Sequence, residues 1–243
     1  MITVTMIIIT GGAKGLGLGI TRALVGAGKE VCVTGRDEAA LKEAERSLGV
    51  VAFRADVAKP GDWDALFAFI QGKGKSIEAL VNNAGWGGAI TPLEEMDPAG
   101  IAETVAVNLT GVIQGCQKVI PHLKAAGGGT IINISSVCDQ YGWPGWTVYS
   151  ACKAGLAMFG KTLYAELREQ GISVTTITPS WSATGFADAA GIDGHPVQDP
   201  EVRKQCMQPE DMGEVILHVL KTPAHLNLMQ YTILPKVQAI EPM

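Results

Sequence analysis

A β-branched run that ends in glycines and continues at once as a helix is the feature that most narrows what this chain can fold into. Met6-Ile7-Ile8-Ile9 leads into Thr10-Gly11-Gly12-Ala13-Lys14-Gly15-Leu16-Gly17, and Ile20, Ala23, Leu24 and Ala27 then recur at helical spacing. A strand that is apolar at nearly every position must be covered on both faces, as in a parallel sheet flanked by helices. Glycines at the strand-to-helix turn let the backbone bend tightly and come close to a ligand. The helix start then offers free N–H groups and the positive end of its dipole to a pyrophosphate. With 30 glycines the chain holds glycine-rich strings by chance. Placement between strand and helix is what points to a bound dinucleotide instead of a ligand-free βα turn.

Short β-branched runs alternate with helical patterns along the rest of the sequence. Strands are predicted at Thr3–Thr10, Glu30–Thr34, Val50–Ala55, Ala79–Asn82, Gly129–Ser135, Ser173–Thr178 and Met229–Leu234. A helix is predicted at Leu41–Leu48, and Gly28 is the expected stop for the first helix. Such alternation calls for right-handed crossovers, giving an α/β fold: a doubly wound, Rossmann-type parallel sheet of about seven strands. The 243 residues, 47% of them hydrophobic, suffice for one large core, and no repeat or linker divides them, so residues 1–243 form a single expected domain. Gly185–Pro200, rich in Gly, Asp and Pro, breaks the periodicity and reads as a mobile flap inside a substrate-binding segment at 180–208.

Charge and cysteine usage exclude other classes. The net charge is −5 and the 19 Lys and Arg are scattered, which argues against nucleic-acid binding. Lys73 to Lys75 reads as a solvated loop. Val4 to Ile9 is far too short to span a bilayer and lacks a preceding basic region, so a strand is expected there and neither a membrane span nor a signal peptide. Five cysteines (Cys32, Cys116, Cys138, Cys152, Cys206) form no CxxC pair, which suggests free thiols and a cytoplasmic protein. His122, His195, His218 and His225 show no ligand spacing, so no metal is expected.

The glycine spacing is GxxxGxG, and further motifs follow it in order: Asp56-Val57, Asn82-Asn83-Ala84-Gly85, Asn108, Ser135-Ser136, Tyr149-xxx-Lys153 and Pro179. Over almost its whole length the chain thereby resembles the short-chain dehydrogenase/reductase family. The resemblance implies that Gly11, Gly12, Ala13, Lys14, Gly15, Leu16 and Gly17 hold a nicotinamide dinucleotide. It also implies that Asp56 and Val57 border the adenine, that Asn83, Ala84 and Gly85 line the cofactor, and that Tyr149, Lys153, Pro179 and Thr184 contact its nicotinamide half. Charge decides which dinucleotide is expected. An NAD enzyme usually carries an acid at the end of the second strand to accept from the ribose 2′-OH. Here Gly35 holds that place and Arg36 follows, with Lys14 as a second cation. A guanidinium can bind a 2′-phosphate bidentately, so NADP(H) is expected in preference to NAD(H). Asp37 is the complication, because a shift of one position would put an acid near the ribose.

Tyr149 and Lys153 lie four apart in a helical pattern and so share a face. A free tyrosine titrates near pH ~10, and a neighbouring ammonium favours its phenolate. The pair stands 13 residues beyond Ser136, the family's own spacing. Ser136, at the carboxyl end of a strand, is placed to hold a substrate oxygen, while Ser135 would face the scaffold. Asn108 matches the family position that supports a water-linked proton path to the lysine. The resemblance implies an NADP(H)-dependent oxidoreductase acting on a small-molecule ketone or secondary alcohol, with Asn108, Ser136, Tyr149 and Lys153 as catalytic residues and a homodimer or homotetramer as its assembly.

Two departures stand out. Ser180 follows Pro179 where relatives usually have glycine, and the end Gln230-Tyr231-Thr232-Ile233-Leu234-Pro235 differs from the common Asp-Gly-Gly-like turn. Trp86, Trp143, Trp146, Trp181 and Phe186 fall near the site and either line an apolar pocket or pack structurally, while Cys138, Asp139 and Gln140 would give that pocket a polar wall. The alternative from another class is a non-catalytic NADP(H)-sensing regulatory protein of the same fold, although such proteins commonly lose the Tyr or Lys retained here. An epimerase of the extended branch would need a larger carboxyl-terminal region, and an enoyl reductase spaces its Tyr and Lys more widely.

Overall fold

The computed structural model describes residues 5–239. Among them the strands are β1 (Thr5–Thr10), β2 (Glu30–Gly35), β3 (Val51–Arg54), β4 (Ser76–Asn82), β5 (Gly129–Ile134), β6 (Ile172–Pro179) and β7 (Gln230–Ile233). The helices are α1 (Gly15–Gly26), α2 (Glu38–Leu48), α3 (Pro60–Gly72), α4 (Pro98–Val105), α5 (Gly111–Ala125), α6 (Thr147–Leu167), α7 (Phe186–Ala189), α8 (Pro200–Gln205) and α9 (Pro209–Leu220). The predicted elements are present with shifts of a few residues. The positions Thr3 and Val4 of the first predicted strand lie outside the described residues. The first helix ends at Gly26, and Gly28 supplies the left-handed residue after it, with φ of 76°.

The strands form one sheet in the order β3-β2-β1-β4-β5-β6-β7, and every adjacent pair is parallel. The fold is therefore a doubly wound α/β domain. Its order reverses between β1 and β4, whose carboxyl ends open the crevice where such sheets bind ligands.

The alternation of β1 divides the core into its two halves. Met6 and Ile8 face a layer with Trp63, Leu66 and Phe67 of α3, Val119 and Leu123 of α5 and Leu156 of α6. Ile7 and Ile9 face Ile20 and Leu24 of α1, Leu41 of α2 and Met212 and Ile216 of α9. Both layers exclude water from β1, which explains why its sequence shows no polar alternation. All five cysteines are buried and unpaired. Among the described residues no helix is long and apolar enough to cross a membrane.

Helices α1 and α9 approach closely because glycine stands at their crossing. A Cβ on Gly19 would lie 2.1 Å from the Pro209 carbonyl carbon, whereas one on Gly26 would meet nothing within 4 Å. Gly19→Ala is expected to destabilise the protein by about 1–3 kcal/mol through overpacking. Gly26→Ala is expected to be neutral or slightly stabilising. Urea melts of the pair check this, and equal stabilities would mean that the crossing yields without cost.

Candidate active site

The glycine turn after β1 and the loop after β4 are locked together at the reversal point. The Thr10 hydroxyl accepts from the backbone N–H groups of Asn83 and Ala84, each at 3.0 Å. In return the Asn83 side-chain amide donates to the carbonyls of Thr10 (2.9 Å) and Gly11 (3.3 Å). Gly17 must be glycine, since a Cβ there would sit 2.1 Å from the Gly11 oxygen and 2.6 Å from the Asn83 amide nitrogen. Helix α1 starts at Gly15 with no side chain capping it and no acid in its first turn. Its first N–H groups therefore remain available to an anion. A Cβ on Gly15 would meet only Thr184, at 3.9 Å, so this cradle opens outward beneath the segment after β6.

At the outer rim, Asp37 caps α2 by accepting from Ala40 N–H (3.0 Å) and lies 2.5 Å from the Lys14 ammonium, which together hold its carboxyl below the usual range. Arg36 reaches Glu103 at 3.5 Å, with both side chains exposed. The residue that closes β2 is Gly35, and the acid at 37 serves the helix cap and Lys14. Beyond β3, Asp56 accepts from Ala58 N–H at 3.0 Å, and the Val57 carbonyl accepts from the Trp63 indole at 2.9 Å, fixing that loop.

Tyr149 and Lys153 lie on one face of α6, both buried, at 6% and 4% exposure. The Lys153 ammonium is 5.4 Å from the centre of the Tyr149 ring and donates to the Ile134 carbonyl at the end of β5, at 3.0 Å. Ser136 follows that strand with extended backbone, its hydroxyl accepting from Cys138 N–H (3.3 Å) and standing near enough to Tyr149 to favour the phenolate. Asn108 sits fully buried in a π-helical turn, Ala106–Thr110, between α4 and α5. Its Nδ2 donates to the carbonyls of Trp86 (2.7 Å) and Thr104 (2.9 Å), and its Oδ1 accepts from Trp86 N–H (3.1 Å). Both amide hydrogens are thus committed, and Oδ1 keeps one acceptor position. A Cβ on Gly85 would lie 3.1 Å from that Oδ1 and 3.6 Å from Lys153 Nζ, so the three meet around one point.

Burial dominates the electrostatics here. It pushes the Tyr149 phenol well above its ordinary range, with the Cys138 thiol adding to the rise and the Ser136 hydrogen bond opposing it. It pulls Lys153 down to about 8. The sequence suggests an ammonium that lowers the phenol; in the folded chain, loss of water around both groups outweighs that pairing. Asp139 is a participant that sequence reasoning left as a general polar wall. Its Oδ2 accepts from Ser135 (2.8 Å) and Thr178 (2.9 Å), and burial still raises the carboxyl. Only the pairing of β5 with β6 brings those two hydroxyls together, so no local signal could have found it.

The segment after β6 folds into a small lobe containing α7 and α8, fastened at its base by a bridge between Ser182 and Met207. Thr184 N–H donates to Ser182, and the Thr184 carbonyl accepts from Arg203 at 3.2 Å. Ser180 needs no glycine-like backbone, because no non-glycine residue among those described has positive φ; its N–H donates to the Ile233 carbonyl at 3.0 Å. Of the five aromatics singled out by sequence, Trp146 and Phe186 pack on Tyr149, at 5.6 and 5.8 Å between ring centres. Trp143 packs on Tyr141 and Trp181 on His195.

Comparison with known proteins places the chain in a family and matches its fold. A family model described as short chain dehydrogenase matches residues 5–193. Sulfoacetaldehyde reductase 2 of Chromohalobacter salexigens is 30% identical over 96% of this chain and 95% of its own length. The 3beta-hydroxysteroid dehydrogenase 1 of Eggerthella lenta is 35% identical over 86% of this chain and 80% of its own. The closed form of a serine dehydrogenase complexed with NADP+ superposes with a TM-score of 0.90 at 26% identity, covering 98% of each chain.

The depressed Lys153 has a consequence for stability. Folded, it loses its proton near pH 8; unfolded, near its free value of 10.5. Across that window unfolding takes up a proton, so raising the pH stabilises the native state. Relative to Lys153→Met, the wild type is expected to gain on the order of 2–3 kcal/mol between about pH 8 and about pH 10.5. Urea melts at both ends of the window test this, and an unchanged difference would mean a solvated ammonium.

Proposed function

This chain belongs to the short-chain dehydrogenase family and is an NADP(H)-dependent oxidoreductase, and on this premise we propose that it interconverts a small-molecule ketone and its secondary alcohol with Tyr149 as acid and base. The observation that carries the reading is the meeting of Ser136, Tyr149 and Lys153 at the carboxyl edge of β5, beside the crevice between β1 and β4.

The residues present fit the cofactor. The glycine turn at 11–17 with its uncapped helix start suits the pyrophosphate. Lys14 and Arg36 suit a ribose 2′-phosphate, because the acids facing them lie in exposed pairs that a doubly charged phosphate can displace. Asp56 and Val57 would border the adenine. Asn83, Ala84 and Gly85 would line the central part, and Pro179 and Thr184 would meet the nicotinamide. When bound, the nicotinamide supplies or accepts the hydride.

The protein's own part is position and proton control. A phenol kept protonated by burial is poised to give its proton to the alkoxide that develops in ketone reduction. Ser136 steadies that oxygen by a hydrogen bond. Lys153 stabilises the phenolate left behind, and in the reverse direction helps Tyr149 take the alcohol proton. Asn108 is a positioning residue: it fixes the Trp86 backbone beside Gly85, and its remaining acceptor position would serve a water-linked proton path to Lys153, whose ammonium lies by the same glycine. The segment 180–208 forms the outer wall and acts as the substrate flap.

Tyr149→Phe is expected to keep NADPH affinity within about twofold while lowering kcat by 10² or more. Fluorescence titration and nicotinamide absorbance check both, and retained kcat would remove Tyr149 from the reaction. Arg36→Asp is expected to weaken NADPH at least about tenfold more than NADH; equal effects would refute the charge argument for the 2′-phosphate.

A further inference from the structure

The surroundings of Tyr149 restrict the charge of what it can act on, and the inference rests on the acid and base reading of that residue. Trp146, at the start of α6, and Phe186, on α7, flank the Tyr149 ring and also face each other, 6.4 Å apart and inclined by 15°. Phe186 is held in place from behind. A Cβ on Gly87, in the loop after β4, would lie 3.1 Å from its ring and 2.9 Å from Ala190. The approach to the reactive hydroxyl is therefore an aromatic wall assembled from three separate segments.

Those segments are also one-sided in charge. Trp86–Pro92, Asp139–Trp146 and Ser180–Gln198 together contain Asp139, Asp188 and Asp193 and neither Lys nor Arg. The one histidine among them, His195, accepts a hydrogen bond at Nδ1 from Val197 N–H, and burial lowers its proton affinity, so it is neutral at pH 7. Lys153 is buried below Tyr149 and bound to Ile134. Arg203, on α8, donates to the Thr184 carbonyl, and Thr184 stands over Gly15 on the pyrophosphate side. A carboxylate, sulfonate or phosphate entering here would lose its water, meet no counter-charge and face the electron-rich surfaces of aromatic rings. A flat apolar ring would lose nothing polar and gain offset stacking.

We propose that the pocket before Tyr149 selects uncharged carbonyl compounds carrying an aryl or comparably flat apolar ring and rejects anionic ones. Trp146 and Phe186 are its specificity-determining residues.

The test compares two ketones that share a phenyl ketone and differ at the neighbouring carboxyl: ethyl benzoylformate, where it is a neutral ester, and benzoylformate, where it is an anion. Reduction with NADPH is followed at the nicotinamide absorbance, and binding of each to the protein with NADPH is followed by calorimetry. The ester is expected to exceed the anion by about 100-fold or more in kcat/KM and by about tenfold or more in affinity. Phe186→Arg, which places a guanidinium beside Trp146, is expected to reduce the ratio at least about tenfold by improving the anion. If the ester binds preferentially but is not reduced, charge selection stands and the ketone-reductase reading fails. If the anion binds or reacts as well as the ester in the wild type, the inference fails while the reductase reading survives. Binding of neither up to the solubility limit also overturns it.

Discussion

The carboxyl ends of β1 and β4 are tied by a reciprocal set of hydrogen bonds, and the rest of the site is built outward from that tie. Thr10 accepts from two backbone N–H groups of the Asn83 loop, and the Asn83 amide repays two carbonyls of the glycine turn. Four polar contacts thereby satisfy backbone groups that a reversal in strand order would otherwise leave open. The same contact sets the size limit at Gly17. It fixes where α1 begins, and hence where a pyrophosphate can be held. It also sends the chain from Asn83 past Gly85 towards Asn108 and Lys153, so the proposed cofactor cradle and the proposed proton machinery share one anchor.

Burial then decides the chemistry. Tyr149, Lys153 and Asp139 are ionisable groups withdrawn from water and gathered at the carboxyl end of β5 by the fold. Each is pushed towards its neutral form, and two keep hydrogen bonds that limit the cost: Ile134 for the ammonium, Ser135 and Thr178 for the carboxyl. Lys153, drawn down to about 8, is the one of the three whose proton occupancy responds near neutral pH to small changes in its surroundings, while burial keeps the phenol protonated. Trp146 and Phe186 complete the enclosure from the outside and impose a chemical preference on it.

Much of this was legible in the residues. The unbroken apolar run at 6–9 announced a strand covered twice, and its two alternating faces do pack against separate helical layers. The four-residue interval of Tyr149 and Lys153 placed them on one helical face, and the strand alternation implied the parallel sheet. Asp37 could not be placed from sequence, because an N-cap and a ribose ligand want the same residue type at the same distance from a strand. Ser180 looked like a departure in backbone demand, yet the chain passes through it with ordinary φ. The segment at 185–200 read as aperiodic, and its short helices, held by local caps such as Asp199, leave no long repeat to detect.

By itself the sequence determined the elements, their order and the candidates for the reactive groups, because these follow from local periodicity and from side-chain chemistry carried by fixed spacings. Only the tertiary structure decided which groups meet. Asp139 joined Thr178 through pairing of β5 and β6, Asn108 reached Trp86 across a π-helical turn, and Trp146 and Phe186 arrived at Tyr149 while Trp143 and Trp181 packed elsewhere. Proton affinities and substrate charge preference belong to this second set. They depend on water exclusion and on the absence of counter-charges among distant segments, and neither quantity exists until the chain has closed around the site.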